Sequence, residues 1–110
     1  MYNLLTEAKQ FLSIVSTSTL KDDEIKILIE AGKLELTRSG ININHNYDKD
    51  NESYDSLIKT AILFFVKGHF GNVDIKEKEY ALRSFDILEQ SLSLSDEYKL
   101  GSEELWEQLN

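Results

Sequence analysis

Residues 57–72 read LIKTAILFFVKGHFGN, and this stretch decides the fold. Its apolar side chains recur with helical spacing and leave almost no polar face, which is typical of a helix that is buried on all sides. The pattern predicts a helix over residues 54–70, with Ser53 as its N-cap and Gly71-Asn72 at its end. One face carries Tyr54, Leu57, Ile58, Ala61, Ile62, Phe65 and His69, and the opposite side carries Leu63, Phe64, Val66 and Phe70.

A helix with this pattern lies either at the centre of its own domain or between subunits. A chain of 110 residues offers few other helices to cover it, so we expect self-association. Phe65 is expected to lie in the core. Phe64 and Phe70 are candidates for an interface with a partner.

Two amphipathic helices are predicted before this stretch. The first covers about residues 3–15, and residues 16–19 (Ser-Thr-Ser-Thr) are expected to form a turn and then an N-cap. The second covers about residues 20–39 and ends at Gly40, which suits the left-handed position after a helix. Its two apolar stripes are more than one partner helix covers, so part of it is expected to face another chain. The stripes are Ile25, Leu28, Ile29, Gly32 and Leu36, and beside them Ile27, Ala31 and Leu34.

A polar loop and a fourth helix complete the predicted domain. Residues 41–53 lack helical spacing, and Ile41 and Ile43 allow only a brief extended piece. Asp74, followed by Glu77, is expected to open a helix that ends near Leu94. That helix carries one stripe of Ala81, Phe85, Leu88 and Leu92 and another of Tyr80, Ile87 and Leu94. The predicted fold is therefore all-α: a small four-helix bundle-like domain over residues 1–95, with a long loop between its second and third helices and an acidic tail over residues 96–110.

The tail is predicted to act as a docking arm. Five acidic residues and one basic residue fall in the last fifteen positions, and residues 102–110 could form a short helix. That helix would present Leu105, Trp106 and Leu109 on one side, and a tryptophan is a common anchor at interfaces. Two interpretations stay open at this point: the tail binds a partner, or it folds back on its own domain.

Composition excludes several classes of protein. The chain has 12.7 kDa, no cysteine and no proline, so one mostly helical domain without disulfides or thiolate sites is expected. Its formal net charge of −8 disfavours specific nucleic-acid binding, which draws its affinity from clustered Lys and Arg. No apolar run is long enough to span a membrane, and the N-terminus lacks the pattern of a signal peptide. We expect a protein that is cytosolic when made.

No residue pattern supports catalysis or a bound cofactor. Asp48, Asp50 and Glu52 alternate like the start of a calcium loop, but Ser53 and Lys59 occupy the positions that require Gly and Glu. Of the two histidines, His45 lies in the polar loop, and His69 has no carboxylate three or four residues after it. His69 is interpreted as a hydrogen-bonded core or interface residue. We therefore expect no catalytic residues, no metal and no cofactor.

Three stretches of this chain resemble the gp6-like head-tail connector family of tailed phages. They are LLTEAKQFLSI at residues 4–14, DDEIKILIEAGKLELTRSG at residues 22–40 and the decisive stretch at residues 57–72. The chain departs from the family pattern in lacking a proline near the start of the third helix and in carrying Val73 where the family commonly has Arg. The acidic tail has no counterpart in that pattern.

The resemblance implies a structural, non-enzymatic virion subunit. Its copies would form a ring, dodecameric in the family, that docks on the portal protein, extends the DNA channel and receives the head-closure (stopper) protein or the tail. Such a subunit would be found at the head-tail junction of the virion and in the host cytoplasm during assembly. The alternative is a small cytosolic helical adaptor or regulator that binds one protein partner through the third helix or the Trp106 tail.

Overall fold

The structure, a computed structural model, describes residues 3–15 and 17–100 and confirms an all-α domain. Within these ranges no strand forms, and the only β-type pairings are isolated bridges between Ile41 and Lys99 and between Asp48 and Ser53. The four helices are α1 (Asn3–Phe11), α2 (Asp22–Arg38), α3 (Ser56–His69) and α4 (Ile75–Leu94).

Helix α3 lies at the centre of the domain, as its apolar pattern predicts. It packs against each of the other three helices, and Ile58, Ala61 and Ile62 are completely buried. A single copy of the chain therefore covers most of α3, so burial of this helix does not require a second subunit. The core joins residues from all four helices and from the segments that follow α2, α3 and α4. Its members are Leu4, Ala8, Ile25, Ile29, Leu36, Ile41, Ile58, Ala61, Ile62, Val66, Phe70, Phe85, Leu92 and Tyr98.

Helices α3 and α4 approach most closely at Gly68. A Cβ atom built at this position would lie 2.8 Å from Cγ of Leu82, which is well inside van der Waals contact. The missing side chain thus allows the two helix backbones to come together at the end of α3. Nearby, the ring of Phe65 packs on Phe85, with 5.3 Å between the ring centroids.

The predicted end of α1 and the predicted start of α2 are wrong. Helix α1 ends at Phe11, because Ser13 takes a left-handed conformation with φ 60° and the Ile14 N–H bonds the Lys9 carbonyl at 2.8 Å. Helix α2 begins at Asp22 without a side-chain cap, so the cluster at residues 16–19 does not provide one. The predicted left-handed glycine is confirmed, since Gly40 has φ 85°.

Lys9 explains why α2 begins where it does. Its side chain is almost fully buried, yet its ammonium lies 2.9 Å from the Asp22 carboxylate and donates to the Ser18 carbonyl. Both contacts hold the connection between α1 and α2 against α1. A buried cation needs such partners, because an unpaired charge in the interior costs several kcal/mol.

Candidate interaction surfaces

Asp55 is the point where three separate parts of the chain meet. Its carboxylate caps α3 by accepting hydrogen bonds from the N–H groups of Leu57 at 2.9 Å and Ile58 at 3.4 Å. The same carboxylate accepts from the Tyr98 hydroxyl at 3.0 Å and from Asn46 Nδ2 at 3.3 Å. The N-cap is therefore Asp55 and not Ser53, which instead pairs with Asp48 through two backbone hydrogen bonds.

Residues 95–100 return to the body of the domain. Tyr98 is only 8% exposed, and its carbonyl accepts from the Asn42 N–H at 2.7 Å. The Leu100 N–H donates to the Gly40 carbonyl at 3.0 Å. The first part of the acidic tail is thus bound to the start of the loop that follows α2. This contact was not predicted from the sequence, where a single aromatic residue among polar ones gives no periodic signal.

The pKa of Asp55 is held below its ordinary value. Burial alone would raise it, but the hydrogen bonds from Asn46, Tyr98 and the two backbone N–H groups outweigh burial. The folded state therefore prefers the ionised carboxylate. Its contribution to stability is complete above the ordinary pKa of 3.8 and is lost as the pH falls through the lower folded-state pKa.

Replacing Asp55 by Ala is expected to lower the free energy of unfolding by about 1 to 2 kcal/mol near neutral pH, because an N-cap is lost. The difference from the unsubstituted chain should shrink as the pH falls below about 3.8, because the unfolded state binds the proton before the folded state does. Urea unfolding at a series of pH values measures this. Asp50→Ala, in the exposed loop, is the matched control and should change little. A difference that stays constant down to pH 2 would contradict the assigned role.

The acidic loop residues and His45 form hydrogen bonds and ring contacts within the domain. The Asp48 carboxylate accepts from the N–H groups of Asp50 at 3.0 Å and Asn51 at 3.2 Å, so the calcium-like alternation is a turn. His45 Nε2 lies 3.3 Å from Glu97 Oε1, and its ring contacts Tyr98 edge-on. Among the described residues, no group of three or more His, Cys, Asp or Glu side chains is placed to hold a metal ion.

His69 is hydrogen-bonded, as predicted, but it does not lie in the core, and its role at an interface stays a prediction. It is exposed rather than buried in a core, and its ring stacks on Phe65 with 4.1 Å between centroids. Its Nδ1 atom lies 2.8 Å from the Phe65 carbonyl, to which it donates a hydrogen bond. These contacts are local to the last turn of α3.

The carboxylates of Glu35 and Glu89 lie at the contact between the C-terminal end of α2 and α4. Ser39 Oγ donates to Glu89 Oε2 at 2.8 Å, and Arg38 binds Glu35 with two nitrogens. Burial and the neighbouring Glu35 raise the pKa of Glu89. The pKa of Glu35 is lowered, chiefly by the hydrogen bond from Arg38. The contact fixes the C-terminal end of α2 without forming a cleft.

The exposed apolar surface lies on α2 and α4 rather than on α3. The second stripe of α2, here called the α2 stripe, consists of Ile27, Ala31 and Leu34; Ile27 is 68% and Leu34 70% exposed. Together with Lys26 and Glu30 these residues line a shallow groove. The second stripe of α4, the α4 stripe, consists of Tyr80, Ile87 and Leu94, all more than 60% exposed. Both stripes match the helical spacing seen in the sequence, and their exposure makes them candidate interaction surfaces.

The predicted interface residues fall into three groups. Phe64 is half-buried beside the α4 stripe, with its ring 6.4 Å from that of Tyr80 and 5.6 Å from that of Phe11. Phe70 is only 2% exposed and belongs to the core, so it offers no surface to a partner. The remaining candidates, Leu105, Trp106 and Leu109, lie outside the described residues.

The fold and these surfaces define a small all-helical domain that presents apolar helix faces outward. No helix within residues 3–15 and 17–100 is long and apolar enough to cross a membrane. A family model described as "Phage connector protein" matches residues 4–99, and the chain belongs to this family. Searches of curated proteins and of solved structures found no match to the chain.

Proposed function

We propose that this chain is a structural, non-enzymatic head-tail connector subunit of the gp6-like type from a tailed phage or prophage. Its copies form a ring beneath the portal protein, extend the DNA channel and receive the head-closure protein or the tail. The observation that carries this proposal is the family match, which covers nearly the whole described chain. The expected ring is dodecameric, by resemblance to the family. The subunit assembles in the host cytoplasm and ends at the head-tail junction of the virion.

The surface chemistry supports a role that needs contact with protein and no adhesion to DNA. A formal net charge of −8 repels the phosphate backbone, so DNA that passes along a channel of such subunits is not retained by charge. Most of the large exposed apolar side chains of the described residues lie on α2 and α4. Apolar surfaces of this kind fit helix faces of neighbouring subunits.

Within the ring, we assign the subunit contact to the α4 stripe. Tyr80, Ile87 and Leu94 follow one another at intervals of seven residues, so they lie on one side of α4 from Tyr80 to its last residue. Phe64 lies beneath Tyr80 and extends the apolar surface toward α1. A neighbour that packs on this row buries three large side chains without any change in the core.

Replacing Ile87 by Asp is expected to weaken assembly with the portal protein of the same phage by tenfold or more, since burial of an unpaired charge costs more than about 1.4 kcal/mol. The matched control is Gln90→Asp, which adds the same charge at an exposed polar position of α4. Electron microscopy and sedimentation of chain and portal protein mixed together measure ring formation, and circular dichroism verifies folding.

An Ile87→Asp variant that is folded and still assembles normally would overturn the assignment of the α4 stripe. Failure of the unsubstituted chain and of Gln90→Asp to join portal particles would contradict the connector role itself. That second result would favour the small adaptor that binds one protein partner.

A further inference from the structure

The α2 stripe is a groove with a small residue at its centre. Ile27 and Leu34 stand at its two ends and are largely exposed, and Ala31 lies between them. The short alanine side chain leaves a depression between two large ones. Within residues 3–15 and 17–100 no apolar side chain covers Ile27 or Leu34, since about two thirds of each remains exposed.

The described chain ends next to the C-terminal end of α2, the helix that carries this groove. The Leu100 N–H bonds the Gly40 carbonyl at 3.0 Å, and Lys99 pairs with Ile41, so the backbone at residue 100 lies next to the C-terminal end of α2. Leu34 is six residues before Gly40, which corresponds to about 9 Å along the helix axis. Residue 101 therefore begins within a short distance of the groove.

The ten residues that follow have the length and the apolar spacing to fill it. As a helix, residues 101–110 would be about 15 Å long, whereas Leu34 and Ile27 are separated by about 10 Å along α2. Leu105, Trp106 and Leu109 share one side of such a helix, and the three glutamates at positions 103, 104 and 107 leave that side apolar. A segment that leaves from the end of α2 and turns back would run antiparallel to it.

We infer that residues 101–110 pack on the α2 stripe of their own chain, with the Trp106 indole against Leu34, at the end of the stripe nearer to Gly40. The short connection from Leu100 favours the same chain over a second copy, because tethering raises the effective concentration of the segment to the millimolar range. Lys26 at the groove edge provides a cation for one of the glutamates. The packed segment hides the α2 stripe and its own tryptophan from other proteins in the free subunit.

Trp106 is the only tryptophan, so its fluorescence tests this contact directly in the full-length chain. The unsubstituted protein should show blue-shifted emission and weak quenching by acrylamide, because the indole is covered. Leu34→Asp should shift the emission to the red and increase the quenching. Ile75→Asp, a matched substitution at an equally exposed isoleucine of α4 that lies outside the α4 stripe, should leave both unchanged. Far-UV circular dichroism and urea midpoints verify that both variants are folded.

Dilution distinguishes the possible occupants of the groove. Blue-shifted emission that persists at the lowest concentration, where sedimentation shows a monomer, supports packing within one chain. Emission that shifts to the red on dilution as a dimer dissociates would show that the segment binds a second copy, and would overturn the inference. Solvent-like emission in the unsubstituted monomer, or emission that Leu34→Asp leaves unchanged, would overturn it as well. None of these results depends on the portal protein, so they do not bear on the connector role.

Discussion

Truncation of the chain after Ser95 is expected to lower the free energy of unfolding by about 3 to 5 kcal/mol, because loss of a buried large aromatic side chain has a cost of this size. Tyr98 is 8% exposed and belongs to the core. The truncation also removes its hydroxyl from Asp55 and breaks the backbone hydrogen bonds to Asn42 and Gly40. Since small domains have only about 5 to 15 kcal/mol of stability, the shortened chain would be marginal at best.

Truncation after Leu100 is the matched control. It removes ten residues including Trp106 but keeps every contact of Tyr98 and Leu100, so it should lower stability far less. Urea unfolding followed by circular dichroism compares the two truncations with the full chain. Equal stability of the two shortened chains would show that residues 96–100 add nothing to the domain. The functional boundary of the tail is expected to lie after residue 100 rather than after residue 95.

The four helices could be predicted because each has a clear apolar period, and α2 and α4 each have a local end signal as well. Gly40 and Asp74 work through the backbone of their own neighbours, so their roles depend on nothing distant. The two exposed stripes on α2 and α4 could be predicted for the same reason. Helical spacing places Leu34 and Ile87 on second faces, and the structure leaves both outside the core.

The wrong predictions for the starts of α2 and α3 occur where a contact with a residue distant in sequence determines the first residue of the helix. Ser53 and Asp55 are both good N-caps, two residues apart, and the choice falls on the one that Tyr98 reaches from 43 positions away. Similarly, Asp22 begins α2 where the buried ammonium of Lys9 meets it. No local pattern contains these pairings.

The burial of α3 does not by itself indicate self-association. The apolar surface of α3 looked too large for a single chain to cover, but the other three helices and residues 95–100 supply the missing cover. The sequence shows how much apolar surface exists, whereas the topology decides which part remains exposed. In this domain the exposed part lies on α2 and α4.

The sequence places Phe70 on a partner surface because the predicted helix extends to residue 70. In the structure α3 ends at His69, and Phe70 has an extended backbone with φ −73° and ψ 132°. Helical spacing no longer determines the direction of a side chain once the helix has ended. The ring instead lies in the core at 2% exposure, close to the start of the turn that leads to α4.

Replacing Phe70 by Asp is therefore expected to unfold the domain. Loss of the buried ring alone has a typical cost of about 3 to 5 kcal/mol, and an unpaired carboxylate left in the core adds several more, which together match the whole stability of a small domain. Phe70→Leu, which keeps an apolar side chain, should remain folded with reduced stability. Ile87→Asp carries the same new charge on the exposed α4 stripe and should retain the helical circular dichroism signal and a cooperative urea transition. A folded Phe70→Asp chain that is impaired only in assembly would instead place this ring at an interface, as its position in the sequence first suggested.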